Sequence, residues 1–270
     1  MGSPAVHIIK DDAIVLRFYP VTNTSRMVVW FTRTHGKITT LIKGSQRPKS
    51  AFIGQYDVFY RCELLFYANH SNHVHHTKEC SPLAFRSNLR TDWRASLAAS
   101  YFVDLVLRVT EPGYPNPKLY DLLEQGLSGL DEHGMYIPVV HDFELQLLDL
   151  LGLTPQFSQC VGCDSALKAA EESTRFAVSK GGLFCNDCSD RDRVSGLKLS
   201  RVAVNTLKAW QRTNSSNMAM RTKVRPEEAK EIRFALGHFL RYHLDMTLES
   251  RRLMFDLLHR ASSGATPAVA

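Results

Sequence analysis

The stretch RMVVWFTRTHGKITTLIKG (26–44) carries the deciding pattern: two runs rich in β-branched and aromatic residues meet across Thr34-His35-Gly36-Lys37. Such runs fit a pleated, half-buried surface, and Gly36 can take the positive φ of a tight hairpin without steric cost. Outward from this hairpin, AIVLRFY (13–19) precedes it, and DVFYRCELLFYA (57–68) and NHVHHTKEC (72–80) follow. Five closely spaced strands predict a small closed barrel over residues 1–80, because closure leaves no strand edge exposed. An SH3-like barrel is an open alternative on this pattern alone.

From Pro82 onward the period turns helical. Leu97, Tyr101 and Leu105, flanked by Ala98, Phe102, Val106 and Val109, form a broad apolar stripe. Asn116-Pro117 opens a second helix to about Leu130, and Pro138 a third to Gly152. Further helices are expected over 200–213, 226–244 and 247–259, before a frayed tail over about 261–270. The fold class read here is α+β: a barrel at 1–80, then a helical domain at 81–270 with an insertion at about 155–195.

That insertion holds Cys160-Val161-Gly162-Cys163 and Cys185-Asn186-Asp187-Cys188. Two thiolates three positions apart can grip one ion through a tight turn, and two such knuckles complete a tetrahedral four-cysteine shell for a single zinc ion. Four protein ligands leave no position for water, so the ion is structural. A redox pair is disfavoured because neither CxxC follows a strand in a βαβ pattern. A zinc deaminase is disfavoured because no HxE element accompanies the cysteines. Cys62 and Cys80 read as buried thiols, and His70, His73, His75 and His76 as a solvated edge. His141, Asp142 and Glu144 read as the polar side of the third helix.

Charge is unevenly distributed. The net charge of +6 divides into +5 for residues 1–80, −5 for 81–159, −2 for 160–190 and +8 for 191–270. Between Asp12 and Asp57 lie 44 residues without Asp or Glu, holding Arg17, Arg26, Arg33, Lys37, Lys43, Arg47 and Lys49. An uncompensated cationic surface neutralises phosphates and releases counterions. In Lys43-Gly44-Ser45-Gln46-Arg47-Pro48-Lys49-Ser50, small and turn-forming residues separate three cations. Phe18, Tyr19, Trp30, Phe31 and Phe52 are either stacking platforms for bases or core. A solvated positive face is the plain alternative, but an acid-free, strand-rich domain of this size favours nucleic acid. KGSQRPKS lacks the GxxxxGK[ST] pattern of a phosphate-binding loop, so nucleotide hydrolysis is not indicated. No catalytic constellation is evident, and an enzyme reading is not favoured. No apolar run is long enough to span a membrane and no secretory signal is evident, which predicts a cytoplasmic protein.

Taken together, HGKITTLIKGSQRPKS (35–50), the CVGC and CNDC pair within a helical remainder, and RYHLDMTLESRR (241–252) resemble the RecO family of bacterial recombination mediators. The resemblance spans nearly the whole chain. It implies an OB-fold followed by a helical domain that embeds the zinc knuckles, in a protein that works on the nucleoid. It further implies binding of single- and double-stranded DNA without marked sequence preference and annealing of complementary strands. The implied partners are RecR, the acidic C-terminal tail of single-stranded-DNA-binding protein (SSB) and, indirectly, RecA, which is loaded on SSB-coated DNA. On this resemblance Lys37, Lys43, Arg47 and Lys49 are phosphate contacts, with Arg17, Arg26 and Arg33 as additions. Cys160, Cys163, Cys185 and Cys188 hold zinc, although some family members lack this set. Arg90, Arg94 and the cations of 230–252 are available for the acidic tail. The competing readings are a nucleic-acid-modifying enzyme scaffolded by the four-cysteine site and a purely protein-binding adaptor.

Overall fold

Strands β1 (Ile8–Pro20), β2 (Arg26–Thr32), β3 (Gly36–Ile42), β4 (Arg61–Tyr67) and β5 (Val74–Ala84) close into a barrel in the order β1-β2-β3-β5-β4. The structure is a computed structural model and describes residues 7–69, 74–167, 173–213, 219 and 221–262. Closure runs through a parallel pairing of β3 with β5, Thr39 opposite Val74, while the other neighbours are antiparallel. This is the five-stranded OB-like arrangement.

Burial follows the pleat. β3 and β4 alternate buried and half-buried positions, and Val15, Val28, Trp30, Ile38, Ile42, Leu64 and Phe66 fill the interior. β2 is instead buried without a break from Val28 to Thr32. Its outer face is also covered, Phe31 meeting Tyr120 at 6.0 Å between ring centroids. Trp30 Nε1 donates to Thr40 Oγ1 at 2.8 Å inside the barrel, and Thr77 Oγ1 donates to the same oxygen at 2.7 Å. A buried indole N–H thereby finds its partner.

The hairpin forms as expected, Gly36 sitting at φ 69°. Several strand limits move: the first strand starts at Ile8, not Ala13, and the third ends at Ile42, not Gly44. The fourth strand starts at Arg61, not Asp57, because residues 57–60 turn through Phe59 at φ 71°, with Tyr60 N donating to Asp57 O. The fifth runs on through Pro82 to Ala84, past a register irregularity that accommodates the missing N–H.

The chain divides into two compact units: residues up to Gly134 together with Leu253 onward, and Met135–Arg252. The first adds α1 (Asn88–Thr91), α2 (Trp93–Val109) and α3 (Pro117–His133) to the barrel. Asp92 caps α2, and Asn116 caps α3 by accepting from Leu119 N at 3.0 Å, with Pro117 in the first turn. Tyr120 and Arg61 both donate to Asp12, at 2.6 Å each. Burial opposes the charge on Asp12, but these bonds hold its carboxyl below the usual range.

The second unit contains α4 (Ile137–Leu150), β6 (Ser173–Ala177), β7 (Gly182–Phe184), α5 (Asn186–Arg191), β8 (Leu197–Ser200), α6 (Arg201–Thr213) and α7 (Pro226–His243). α8 (Glu249–Ser262) closes the described chain, and the expected tail from Ser263 lies outside the described residues. β7, β6 and β8 form a three-stranded antiparallel sheet.

On α4 the structure corrects the sequence reading: His141, Asp142 and Glu144 are buried, not a solvated polar side. Glu144 accepts from Arg251 Nε at 2.7 Å and binds His141 Nδ1 at 2.8 Å. Burial works against its charge, yet Arg251 and His141 bring its carboxyl down to about 2. Arg251 also donates to Arg233 O at 3.0 Å, and Gly237 leaves room for it, since a Cβ there would fall 2.5 Å from Arg251 Nη1. The late motif RYHLDMTLESRR thus supplies the cation of an internal charged network. Among the described residues no helix is long and apolar enough to cross a membrane.

Candidate nucleic-acid interface and metal centre

The seven cations of the acid-free stretch fall into two groups. Lys43, Arg47 and Lys49 are exposed on the loop after β3 and form no ion pair among the described residues. Their loop is nonetheless fixed: Gly44 N donates to Ser25 Oγ at 3.2 Å, Gln46 N to Thr24 O at 3.0 Å, and Ser45 is buried beneath. Gly44, at φ 67°, brings the chain around so that Arg47 N reaches Gly44 O. Three long cationic side chains therefore stand on a backbone tied to the β1–β2 turn, which lowers the ordering cost of engaging a polyanion.

The remaining four carry local obligations or stand apart. Arg33 pairs with Asp121 of α3 at 2.9 Å and lies over Tyr120. Arg26 lies over the Phe18 ring at 4.5 Å, a cation–π contact at the start of β2. Lys37 gives its ammonium to Leu107 O at 2.7 Å and to Thr110 O, capping the C-terminal end of α2. A phosphate role for Lys37 therefore competes with this cap. Arg17 is exposed on β1 and unpaired among the described residues.

Of the aromatic candidates, Trp30 and Phe31 are fully buried and belong to the core. Phe18 and Phe52 pack half-buried against it, and Tyr19 is exposed. The sequence did not reveal a second device in the hairpin. Asp11, buried at the start of β1, accepts from Thr34 N and Thr34 Oγ1 and binds His35 Nδ1 at 2.6 Å. Of the two neighbouring acids, Asp11 organises the hairpin and Asp12 the α3 contact. Of the histidine cluster, His70 and His73 lie outside the described residues, while His75 Nδ1 accepts from Asn69 N at 2.9 Å.

In the second unit the four cysteines converge. The sulfurs of Cys160, Cys163, Cys185 and Cys188 all lie within 4.8 Å of one another, and Cys163 Sγ and Cys185 Sγ are 3.9 Å apart. Tetrahedral coordination at Zn–S of about 2.3 Å places sulfurs about 3.8 Å apart, so the set fits an ion of that kind. Local bonds shape both knuckles. Gly162 N and Cys185 N point at Cys160 Sγ at 3.4 and 3.3 Å, and Cys188 N at Cys185 Sγ at 3.5 Å.

Gly162 is required by packing, because a Cβ there would fall 2.9 Å from the Phe184 ring. Cys185 also caps α5. Arg191 Nη2 approaches Cys188 Sγ at 3.6 Å, placing a cation beside the sulfurs. Hydrogen bonding from Ser165 draws the Cys163 thiol down to about 6, whereas Cys188, sharing hydrogen bonds with Cys185, is pushed up to about 12. Binding a cation would release the retained protons.

The relation to known proteins divides the chain after the barrel, earlier than the two compact units do. Residues 6–86 match the model for the Recombination protein O N terminal, and residues 90–252 that for its C terminal. The chain belongs to the RecO family. It is 31% identical over 252 residues to the DNA repair protein RecO of Moorella thermoacetica, covering 93% of this chain and 91% of that one. It is 30% identical to the RecO of Myxococcus xanthus, covering 89% and 94%, and 29% identical to that of Alkaliphilus metalliredigens, covering 88% and 94%. A RecO-family DNA repair protein with an OB-like barrel is thus established, and its four cysteines are clustered closely enough that they could hold a metal ion.

Proposed function

We propose that this RecO-family protein binds single- and double-stranded DNA without sequence preference, anneals complementary strands and, with RecR, promotes RecA loading on strands covered by SSB. The observation that carries the reading is the fixed loop bearing Lys43, Arg47 and Lys49, within a stretch of chain that holds no acid. Two complementary strands repel through their phosphates, and a protein offering cations to both lowers the cost of encounter. Contacts confined to the backbone leave Watson–Crick edges free to pair. Arg17, Arg26, Arg33 and Lys37 are supporting positions on the same barrel.

The net +8 of residues 191–270 suits a second strand or the acidic SSB tail. In this reading residues 1–80 form the DNA-binding domain and 81–270 the helical domain, and the protein acts in the cytoplasm on the nucleoid. No covalent step is needed, so the protein is not an enzyme. Cys160, Cys163, Cys185 and Cys188 hold one zinc ion as a structural centre.

The test is annealing of two labelled complementary strands without ATP. Changing Lys43, Arg47 and Lys49 together to Glu is expected to abolish acceleration and to lower the salt slope of binding by about three, one for each lost phosphate contact. Annealing at the unaltered rate would overturn the assignment.

A further inference from the structure

A cleft of about 390 Å³ lies in the first unit, walled on one side by Arg17, Tyr19 and Thr39 on the strands and on the other by Asp104 and Arg108 of α2, with Lys37 beside them. Strand register explains the first wall. Arg17 of β1 sits opposite Val29 of β2, and Val29 opposite Thr39 of β3, so the three form one row across the outer surface of the barrel. The β-bulge at Val15–Arg17 fixes which side chains of β1 face outward beyond it.

The electrostatics of this cleft are one-sided. Arg17 has no ion pair among the described residues. Its charge acts on Lys37: burial is the main cause that lowers the Lys37 ammonium below its ordinary range, Glu111 opposes the shift, and Arg17 adds to it. Arg108 is held in place by Asp104 on the preceding turn, Nε to Oδ1 at 2.9 Å. Two guanidinium groups and an ammonium thus converge on a concavity whose lining offers one carboxylate. Tyr19, 43% exposed, presents a ring at the same place.

We propose that this cleft seats one nucleotide of a single strand, its phosphate between Arg17 and Arg108 and its base against Tyr19. The inference rests on the nucleic-acid reading above and extends it from the loop to a composite site shared by the barrel and α2. Lys37 is a positioning residue here: by capping α2 it holds the Arg108 turn against the strands. Asp104 orients Arg108 but opposes the strand's charge. A duplex offers Tyr19 no unpaired base, so the ring favours a single strand.

The experiment measures binding of a fluorescein-labelled oligothymidylate across a salt series, with a duplex of equal length in parallel. Arg17→Ala and Arg108→Ala are each expected to weaken binding and reduce the salt slope by about one. Tyr19→Ala is expected to weaken the single strand and leave the duplex unchanged. Asp104→Asn is expected to strengthen binding severalfold, an effect that damage to the fold would not produce. If the wild-type protein shows no salt-dependent binding, both the general reading and the seat fall. If it binds and the triple loop variant does not, while the Arg17, Arg108 and Asp104 variants match wild type, the seat alone is overturned.

Discussion

The barrel and the cysteine knuckle solve the same problem with different means. The barrel encloses Trp30, Ile38, Ile42, Leu64 and Phe66 within a continuous apolar cluster. In the knuckle cluster, Cys160, Cys185 and Cys188 are themselves most of the buried side chains, joined by Ala177 and Phe184. Apolar burial at about 25 cal/mol per Å² can hold the first together. The cluster around the sulfurs has little such surface of its own, and a bound ion would join it. One part should therefore be indifferent to metal and the other defined by it.

Metal removal breaks the comparison most directly. Zinc binding contributes on the order of 10 kcal/mol to isolated knuckle peptides, and that energy is folding energy. Chelation, or Cys160→Ser, is expected to expose the amides of 157–167 and 182–188 to rapid hydrogen exchange while those of 8–67 keep their protection. Equal loss in both segments, or none in either, would show that the knuckle does not depend on its metal.

The buried network of the second unit comes next. Arg251→Ala leaves the Glu144 charge in the interior without its guanidinium, and breaking such a pair costs about 3–5 kcal/mol. Acid should act in the same direction. Glu144 is held near 2 in the folded state, so its contribution is present above the ordinary carboxylate range and is lost as pH falls through that range towards 2. Buried His141 is lowered by desolvation, so it too favours the fold above its ordinary value and opposes it as pH falls below. Fluorine NMR of fluorotryptophan-labelled protein separates the two units, Trp210 stacking on His141 and Trp30 lying inside the barrel. The Trp210 signal is expected to lose its folded position at lower temperature in Arg251→Ala, and in the wild type at acid pH, with Trp30 unchanged.

The contrast also explains what was legible in the sequence. Strand alternation, the Gly36 hairpin and the CxxC spacing report local geometry, and each names its own structure. The roles of His141, Asp142 and Glu144 were illegible because polar residues gathered within one turn of an amphipathic helix look solvated until Arg251, more than a hundred positions later, arrives beside them. The local partners of Lys37 and Arg33 were hidden for the same reason: as sequence they are free cations, and only the packing of α2 and α3 on the strands supplies Leu107, Thr110 and Asp121. Stacking platforms could not be told from core because Phe31 lies on an outward-facing strand position that α3 covers.

The smallest effect concerns the hairpin, and it bears on whether the barrel is as self-sufficient as its core suggests. Gly36 sits at φ 69°, and a Cβ there would fall 2.1 Å from Tyr114 O in the α2–α3 connection. That connection is tied to the same place by Gly113 N donating to Lys37 O at 2.9 Å and by the Lys37 cap on α2. Left-handed backbone at a non-glycine residue costs about 1–3 kcal/mol, and the clash adds displacement of 112–114 from β3. Gly36→Ala is therefore expected to lower the melting temperature of the Trp30 signal, leave that of Trp210 in place, and raise hydrogen exchange at Gly113. Unaltered exchange there would mean that the barrel tolerates the change without loosening its grip on α2, and that the hairpin owes its glycine to turn geometry alone.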